Sequence, residues 1–382
     1  MECKYEIQVW NASIKFKYGG EVEVSMIKIG NNEIGITQRP YFIADIAANH
    51  DGDLKRAYKL IELAKESGAD AAKFQNFRAS TLVSKNGFEA LGKRVSHQSS
   101  WQKPVYEVYE DYSIKKEWTS LLKKKCEEFE IEYLTTPYDF EAVDQVEPYV
   151  NAYKIGSGDI TWIEFLEYVV SKNKPVLLST GASSLEDVDR AVNVILSENN
   201  KLILMQCNTN YTASIDNLQY VNLNVLKKYT ELYPEVVLGL SDHTPGHVTV
   251  LGAIALGARV IEKHFTDDND RVGPDHKFSM NPVTWREMID RSTDLWKALG
   301  DGQKKIEANE KETAIIQRRS LYYSISMKEG SVLTKAELYP LRPCNENGIP
   351  PYEMNKVIGK TLRKDVEEDT CIRWEDLKET QV

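Results

Sequence analysis

The stretch LGLSDHTPGHVTVLGAIALGARVIEKHF, residues 238–265, holds two short apolar runs that each end in a histidine, His243 and His264. Between them lies a small-residue apolar segment of helical length. Strand, helix, strand is a unit whose crossover helix returns the chain for parallel pairing. Side chains on a strand alternate faces, so Ser241 shares a face with His243, and Glu262 with His264. A lone histidine on an apolar strand is usually a satisfied core residue. Two at matching ends of neighbouring strands, about 4.8 Å apart, can reach one ion.

The same unit recurs along the chain. Strand candidates are YFIADIA (41–47), AAKFQNF (71–77), IEYLTTP (131–137), AYKIGS (152–157), PVLLST (175–180), LILMQC (202–207), VVLGLSD (236–242) and VIEKHFT (260–266). Amphipathic patterns separate them, such as LKRAYKLIELAKESG, ending at the C-cap candidate Gly68, and SIKKEWTSLLKKKCEEF, opening at the capping candidate Ser113. Eight such units over residues 41–299 predict an α/β fold of the (β/α)8 TIM-barrel type rather than an open sheet. Residues 1–40 alternate as EIQVW, SIKFKY and EVEVSMIKIG, which predicts an N-terminal β extension capping the barrel. Residues 300–318 are polar and read as a linker. Residues 319–382 carry short strands and turn signals, a small β-rich module that could bury little core alone.

Of the 382 residues 42% are hydrophobic, enough for a sizeable core, and the formal net charge is −10. That balance excludes a nucleic-acid or polybasic membrane surface, so an anionic ligand must be held by local cations. Five scattered cysteines without a CxxC pair suit a reducing compartment. The segment MECKYEIQVW lacks the apolar core of a signal peptide, and no run of about 18 apolar residues follows, which predicts a soluble cytoplasmic protein.

In a barrel, polar side chains at the carboxyl ends of strands carry the chemistry. Here those ends supply Asp45, Asn49, Lys73, Gln75, Thr135, Thr136, Lys154, Ser157, Asp159, Ser179, Thr180, Asn208, Tyr211, Ser241, His243, Glu262 and His264. A lysine inside a barrel is costly without an anionic partner, so Lys73 and Lys154 are strong site candidates. Two imidazoles with positions left for water or a substrate oxygen suit Mn²⁺, Mg²⁺, Co²⁺ or Zn²⁺ acting as a Lewis acid. His247, one turn into the following helix, reads as a surface or capping residue, and either role is open for His50. IGSGDIT lacks the third glycine of a dinucleotide fingerprint, and no GxxxxGK occurs. The acidic run DDND (267–270) fails the calcium-loop pattern but leads to Asp275, just beyond the strand that carries His264.

At this point the chain resembles the sialic acid synthase family, which condenses phosphoenolpyruvate with an N-acyl hexosamine to a nine-carbon 2-keto acid. The resemblance is carried by FIADIAANHDGDL, GADAAKFQNF, YLTTPYD, AYKIGSGDI, LLSTGAS, GLSDHT, GARVIEKHFT, DRVGPDHKFSMNP and YPLRP, from about residue 40 to the carboxyl terminus. The last module is similar to the antifreeze-like (SAF) domain of those synthases. The resemblance implies that His243 and His264 are metal ligands, usually of Mn²⁺, with Mg²⁺ or Co²⁺ as alternatives. It implies that Lys73, Thr136, Lys154, Ser157, Ser179 and Ser241 hold phosphoenolpyruvate, and that Gln75, Tyr211 and Asp275 line the pocket. Arg342 of LRP matches an arginine that one protomer's SAF domain extends into its partner's barrel, which implies a domain-swapped homodimer.

The chain departs from that family around the sugar. Asp45 and Asp159 each stand where glutamate is common, which withdraws a carboxylate by about 1.5 Å, and Thr209 stands where asparagine is frequent. These changes predict the same reaction on a different acceptor, N-acetylmannosamine giving way to a modified diamino hexose. The chemistry expected is catalytic for Asp45, Asp159, His243 and His264. Two other readings stay open: a Schiff-base pyruvate aldolase built on Lys154, and a carbohydrate-binding homologue without turnover.

Overall fold

Strands buried on both faces need apolar residues at successive positions, and the eight runs supply them. The computed structural model describes residues 7–10, 13–16, 21–23, 26–91, 98, 101 and 103–379, in two compact units, Met1–Gly302 and Gln303–Val382. In the first unit β1 (Ile7–Trp10), β2 (Ser13–Phe16) and β3 (Glu21–Glu23) form an antiparallel sheet, and β4 (Ile27–Ile29) and β5 (Asn32–Ile34) a hairpin. The strands β6 (Tyr41–Asp45), β7 (Ala71–Asn76), β8 (Glu132–Pro137), β9 (Tyr153–Ile155), β10 (Val176–Ser179), β11 (Leu202–Cys207), β12 (Val237–Asp242) and β13 (Val260–His264) follow. They make one eight-stranded sheet, parallel at every paired register, in the order β8-β7-β6-β13-β12-β11-β10-β9. Strand β8 lies against β9 and closes it into a barrel.

Alternation along the strands separates two cores. Outward side chains such as Phe74, Leu178, Leu204 and Ile261 pack under the surrounding helices. Inward side chains at the amino ends, Tyr41, Ala71, Leu177, Ile203, Val237 and Val260 among them, form a second cluster with Ile27, Ile29 and Ile34 of the β4–β5 hairpin. Burying each of those isoleucines is worth about 1.5–3 kcal/mol, an upper figure. The hairpin therefore seals the barrel floor with hydrocarbon and leaves the polar ends of the strands at the opposite mouth.

Helix Leu54–Glu66 begins where the Asp53 side chain accepts from the Lys55 N–H and stops before Gly68, whose φ of +93° ends it as its sequence predicts. The helix expected to open at Ser113 instead spans Trp118–Glu128, because the Ser113 hydroxyl donates to the Tyr109 carbonyl (2.7 Å) and belongs to the preceding turn. The described residues between β7 and that helix include the short helices Ala79–Leu82, Lys85–Leu91 and Val105–Asp111.

In the second unit β14 (Ser320–Tyr323) pairs with β15 (Leu338–Leu341), and β16 (Thr361–Leu362) with β17 (Leu377–Lys378), all antiparallel. Its core holds Leu321, Tyr323, Leu333, Ile349, Leu362 and Ile372. Within the segment read as a linker, Lys311–Gln317 is helical. Among the described residues no helix is long and apolar enough to cross a membrane.

Candidate active site

The inward side chains at the carboxyl ends of β6, β7, β9, β10, β12 and β13 meet in a buried charge cluster. Lys73 Nζ lies 2.6 Å from Asp45 Oδ2 and 3.7 Å from Glu262 Oε2, and Lys154 Nζ 3.2 Å from Glu262 Oε1. Lys154 also donates to Ser179 Oγ (2.6 Å), and Ser241 Oγ donates to Glu262 Oε1 (3.0 Å). Each charged member is at most 4% exposed. Burial alone would raise Glu262, but the ammonium groups of Lys154 and Lys73 hold it well below the usual carboxylate range. Asp45 is raised by burial and by facing Glu262, against the pull of Lys73. Two buried cations ringed by hydroxyls are a receptor for a small ligand with more than one negative group.

Above this cluster stand the two histidines. Their ring centroids are 5.4 Å apart, and the Tyr211 ring lies 4.3 Å from that of His243. His243 Nδ1 is 2.9 Å from the Asn208 carbonyl, which can only accept, so Nδ1 carries the proton and Nε2 keeps its lone pair. Burial, with His264 beside it, lowers the His243 pKa to about 4, so the ring is neutral at physiological pH. His264 lies between two carboxylates, with Nε2 3.7 Å from Asp45 Oδ2 and Nδ1 3.9 Å from Asp275 Oδ2. These residues fit a divalent cation held by two imidazole nitrogens. Among the described residues no group of three or more His, Cys, Asp or Glu side chains is placed to hold a metal ion, so the two imidazoles are the nitrogen donors the site offers.

A cavity of about 460 Å³ opens outward from His264. Gln75, Ser157, Asp159, Thr209, Tyr211 and Asp275 line it, together with an aromatic wall of Phe77, Phe88, Trp101, Tyr109 and Tyr138. Burial raises Asp159 to about 6, partly offset by Lys154; burial also raises Asp275 to about 6, against the Ala48 N–H donated to it. Thr136, buried on β8, pairs in register with Gln75. Gly181 donates its N–H to Ser157 Oγ (2.9 Å). A Cβ there would stand 2.5 Å from Thr209 and 2.9 Å from Ser157 Oγ, so only glycine allows this approach.

Other candidates lie outside this constellation. His50 is buried in a loop, its ring edge-on to Trp118 and its Nδ1 accepting from the Gly52 N–H. His247 precedes helix Val248–Ala255 without a side-chain capping bond. In the acidic run, Asp267 pairs with Arg56 and Arg271 and anchors the loop that carries Asp275. Arg342 is exposed in the second unit, next to β15. Sequence reasoning did not anticipate the aromatic wall or Phe278, which packs 4.9 Å from the His264 ring. Phe88, Trp101 and Tyr109 come from the excursion after β7, whose pattern gives no strand parity to read.

The model of the NeuB family matches residues 60–304. The chain belongs to the NeuB family. A SAF-domain model matches residues 318–378 of this NeuB-family protein. It is 36% identical over 88% of its length to the N,N'-diacetyllegionaminic acid synthase of Campylobacter jejuni, covering 99% of that protein. To the enzyme of the same name from Legionella pneumophila it is 34% identical, over 90% of this chain and 96% of the relative. The crystal structure of a sialic acid synthetase from Leptospira borgpetersenii superposes with a TM-score of 0.66 at 28% identity, covering 76% of this chain and 95% of the other.

Proposed function

We propose that this NeuB-family protein condenses phosphoenolpyruvate with an N-acylated hexosamine-type sugar. The product is a nine-carbon 2-keto-3-deoxy acid, and phosphate leaves by C–O cleavage. The observation that carries this reading is the pair of buried lysines, joined through Glu262 beneath two adjacent histidines and an aromatic-walled cavity. Lys73 and Lys154, with Ser179, Ser241, Thr136 and Ser157, hold the phosphate and carboxylate of phosphoenolpyruvate, so that its C3 faces the cavity. His243 and His264 would hold a divalent cation, Mn²⁺ in our reading with Mg²⁺ or Co²⁺ as alternatives. When bound, that ion supplies Lewis-acid polarisation of the sugar aldehyde oxygen.

The remaining steps belong to the chain's own groups. Attack of C3 on the aldehyde carbon leaves positive charge at C2, which Glu262 and Asp45 beneath it favour electrostatically. Water adds at C2, and the tetrahedral centre then expels phosphate. Asp275, beside His264, is placed to give a proton to the oxygen that becomes the new hydroxyl. Asp159 and Gln75 receive sugar hydroxyl or amide groups, and the aromatic wall takes acyl methyls and deoxygenated carbons.

That wall, and relatives named as diacetyllegionaminic acid synthases, favour a diacetamido deoxyhexose over N-acetylmannosamine as acceptor. Arg342 would complete the site from a partner protomer in a domain-swapped homodimer, and the enzyme would work in the cytoplasm. Lys154 is engaged by Glu262 and Ser179 as a cationic anchor, which disfavours the Schiff-base reading. Phosphate release is the test, measured over a panel of N-acyl mannosamine, diacetamido deoxyhexose and phosphorylated sugars with and without EDTA. Release with the diacetamido sugar that EDTA abolishes is expected. A borohydride-trapped pyruvate adduct on Lys154 would overturn the proposal.

A further inference from the structure

The strand residues that precede the two histidines point the other way, into the layer between barrel and helices. Asp242 and Lys263 are Cα partners across β12 and β13, one residue before His243 and His264. Their side chains form an ion pair of 2.5 Å with exposures of 2% and 1%. Lys263 Nζ also donates to the Thr244 carbonyl (2.6 Å). Asp242 accepts from the Thr244 N–H (3.1 Å), the Thr244 hydroxyl (2.9 Å) and the Thr249 hydroxyl (2.6 Å). The network therefore joins both strand ends, the turn after His243 and the first turn of helix Val248–Ala255.

Stability does not call for this arrangement. The other outward positions of the same strands, Leu238, Leu240 and Ile261, and Phe265 just after β13, are hydrocarbon packed in the main core. A buried ion pair is often no more stabilising than well-packed apolar residues of the same volume. What it provides is directional: a cross-strand bond of fixed length locks the height of β12 against β13. Metal–ligand distances tolerate errors of only about 0.2 Å, and the two imidazoles hang from the residues just past that bond.

The geometry points to Asp242 and Lys263, with Thr249, as positioning residues that set the spacing of His243 and His264 and thereby the affinity of the pair for a divalent cation. This rests on the reading that the two histidines hold that cation. Asp242 and Lys263 touch neither substrate nor ion; they act through the backbone.

The test titrates Mn²⁺ alone into the full-length protein, with free Mn²⁺ followed by electron paramagnetic resonance. The isosteric double variant D242L/K263M removes the pair without stranding a buried charge. Its Mn²⁺ dissociation constant should rise about tenfold or more, as for other groups that orient metal ligands, while the melting temperature stays near that of the parent. Lys263→Arg should restore much of the affinity. A double variant that binds Mn²⁺ as the parent does overturns the proposal. Should the double variant not fold, Thr249→Val, which removes a single bond to Asp242, is read instead: a several-fold weaker Mn²⁺ constant supports the proposal, and an unchanged one overturns it. His243→Ala separates the two claims. If it leaves Mn²⁺ binding intact, the ligand assignment itself fails; if it abolishes binding while D242L/K263M does not, only the positioning role fails.

Discussion

The two ends of the barrel mouth are built on different principles. The inner end is a charge cluster on regular strands, where Asp45, Lys73, Lys154 and Glu262 are nearly inaccessible and bonded to one another. The outer end is a cavity with one aromatic wall, of which Phe77, Phe88, Trp101 and Tyr109 come from the loops and short helices after β7. The inner end suits a ligand of fixed shape and charge, and the outer end suits a variable one. Within one enzyme this separates what must be kept for the reaction from what selects the acceptor.

The largest effect should come from breaking the inner end. Lys154→Met removes one of the two cations around Glu262, and leaving a buried charge without its partner typically costs about 3–5 kcal/mol. We expect turnover below detection and a clearly lowered melting temperature, read by phosphate release and thermal unfolding. A variant that keeps the phosphoenolpyruvate KM of the parent would remove Lys154 from that site.

Next is the junction between the two ends. His264→Ala should abolish turnover with little loss of melting temperature, since its ring lies at the cavity wall rather than in the hydrocarbon core. Full activity in the His243→Ala/His264→Ala double variant would end the proposal that these rings hold a cation.

A smaller and one-sided effect is expected at the outer end. Phe77→Ala opens the wall where Phe77 meets Tyr109 and Tyr138 edge-on, at 5.4 and 5.9 Å. Loss of such a contact is worth about 1–3 kcal/mol, so the sugar KM should rise roughly tenfold or more while that of phosphoenolpyruvate stays. Equal changes in both constants would break the division between the two ends.

The smallest effect concerns Asp159. Burial raises its pKa in the folded protein to about 6 from an ordinary value of 3.8. The folded state then binds the proton more tightly, a contribution to stability fully present below pH 3.8 and lost as pH rises through about 6. Asp159→Asn should therefore flatten the change in melting temperature between pH 4 and pH 7 without lowering it at neutral pH. An unchanged slope would mean that Asp159 titrates as an exposed carboxyl.

The same contrast explains which parts could be read from the sequence. Strand β12, helix Val248–Ala255 and strand β13 follow from apolar periodicity, and the period of two alone places Ser241 with His243, and Glu262 with His264, on one face. Asp159 and Asp275 also reach the mouth as their places beyond strand ends suggest. Glu262 illustrates the limit: its face is predictable, but its bridging of Lys73 and Lys154 depends on how β7, β9 and β13 curve around one axis. Ser113 is a second case, since a capping serine and a serine that bonds back to the previous turn look alike in sequence. The aromatic wall was the least legible part. Phe88, Trp101 and Tyr109 lie on an irregular excursion, where neither a period of two nor one of 3.6 residues says which ring turns inward.

The account's central claim is that the buried cations hold phosphoenolpyruvate for attack through C3, with phosphate lost by C–O cleavage. Turnover of phosphoenolpyruvate carrying an isotopic label in its bridging oxygen, with a diacetamido deoxyhexose as acceptor, tests it most directly by mass analysis of the released phosphate. The account predicts that the label leaves with phosphate and that a nine-carbon keto acid accumulates in equal amount. Label retained in the organic product, or phosphate released without the new carbon–carbon bond, would contradict it.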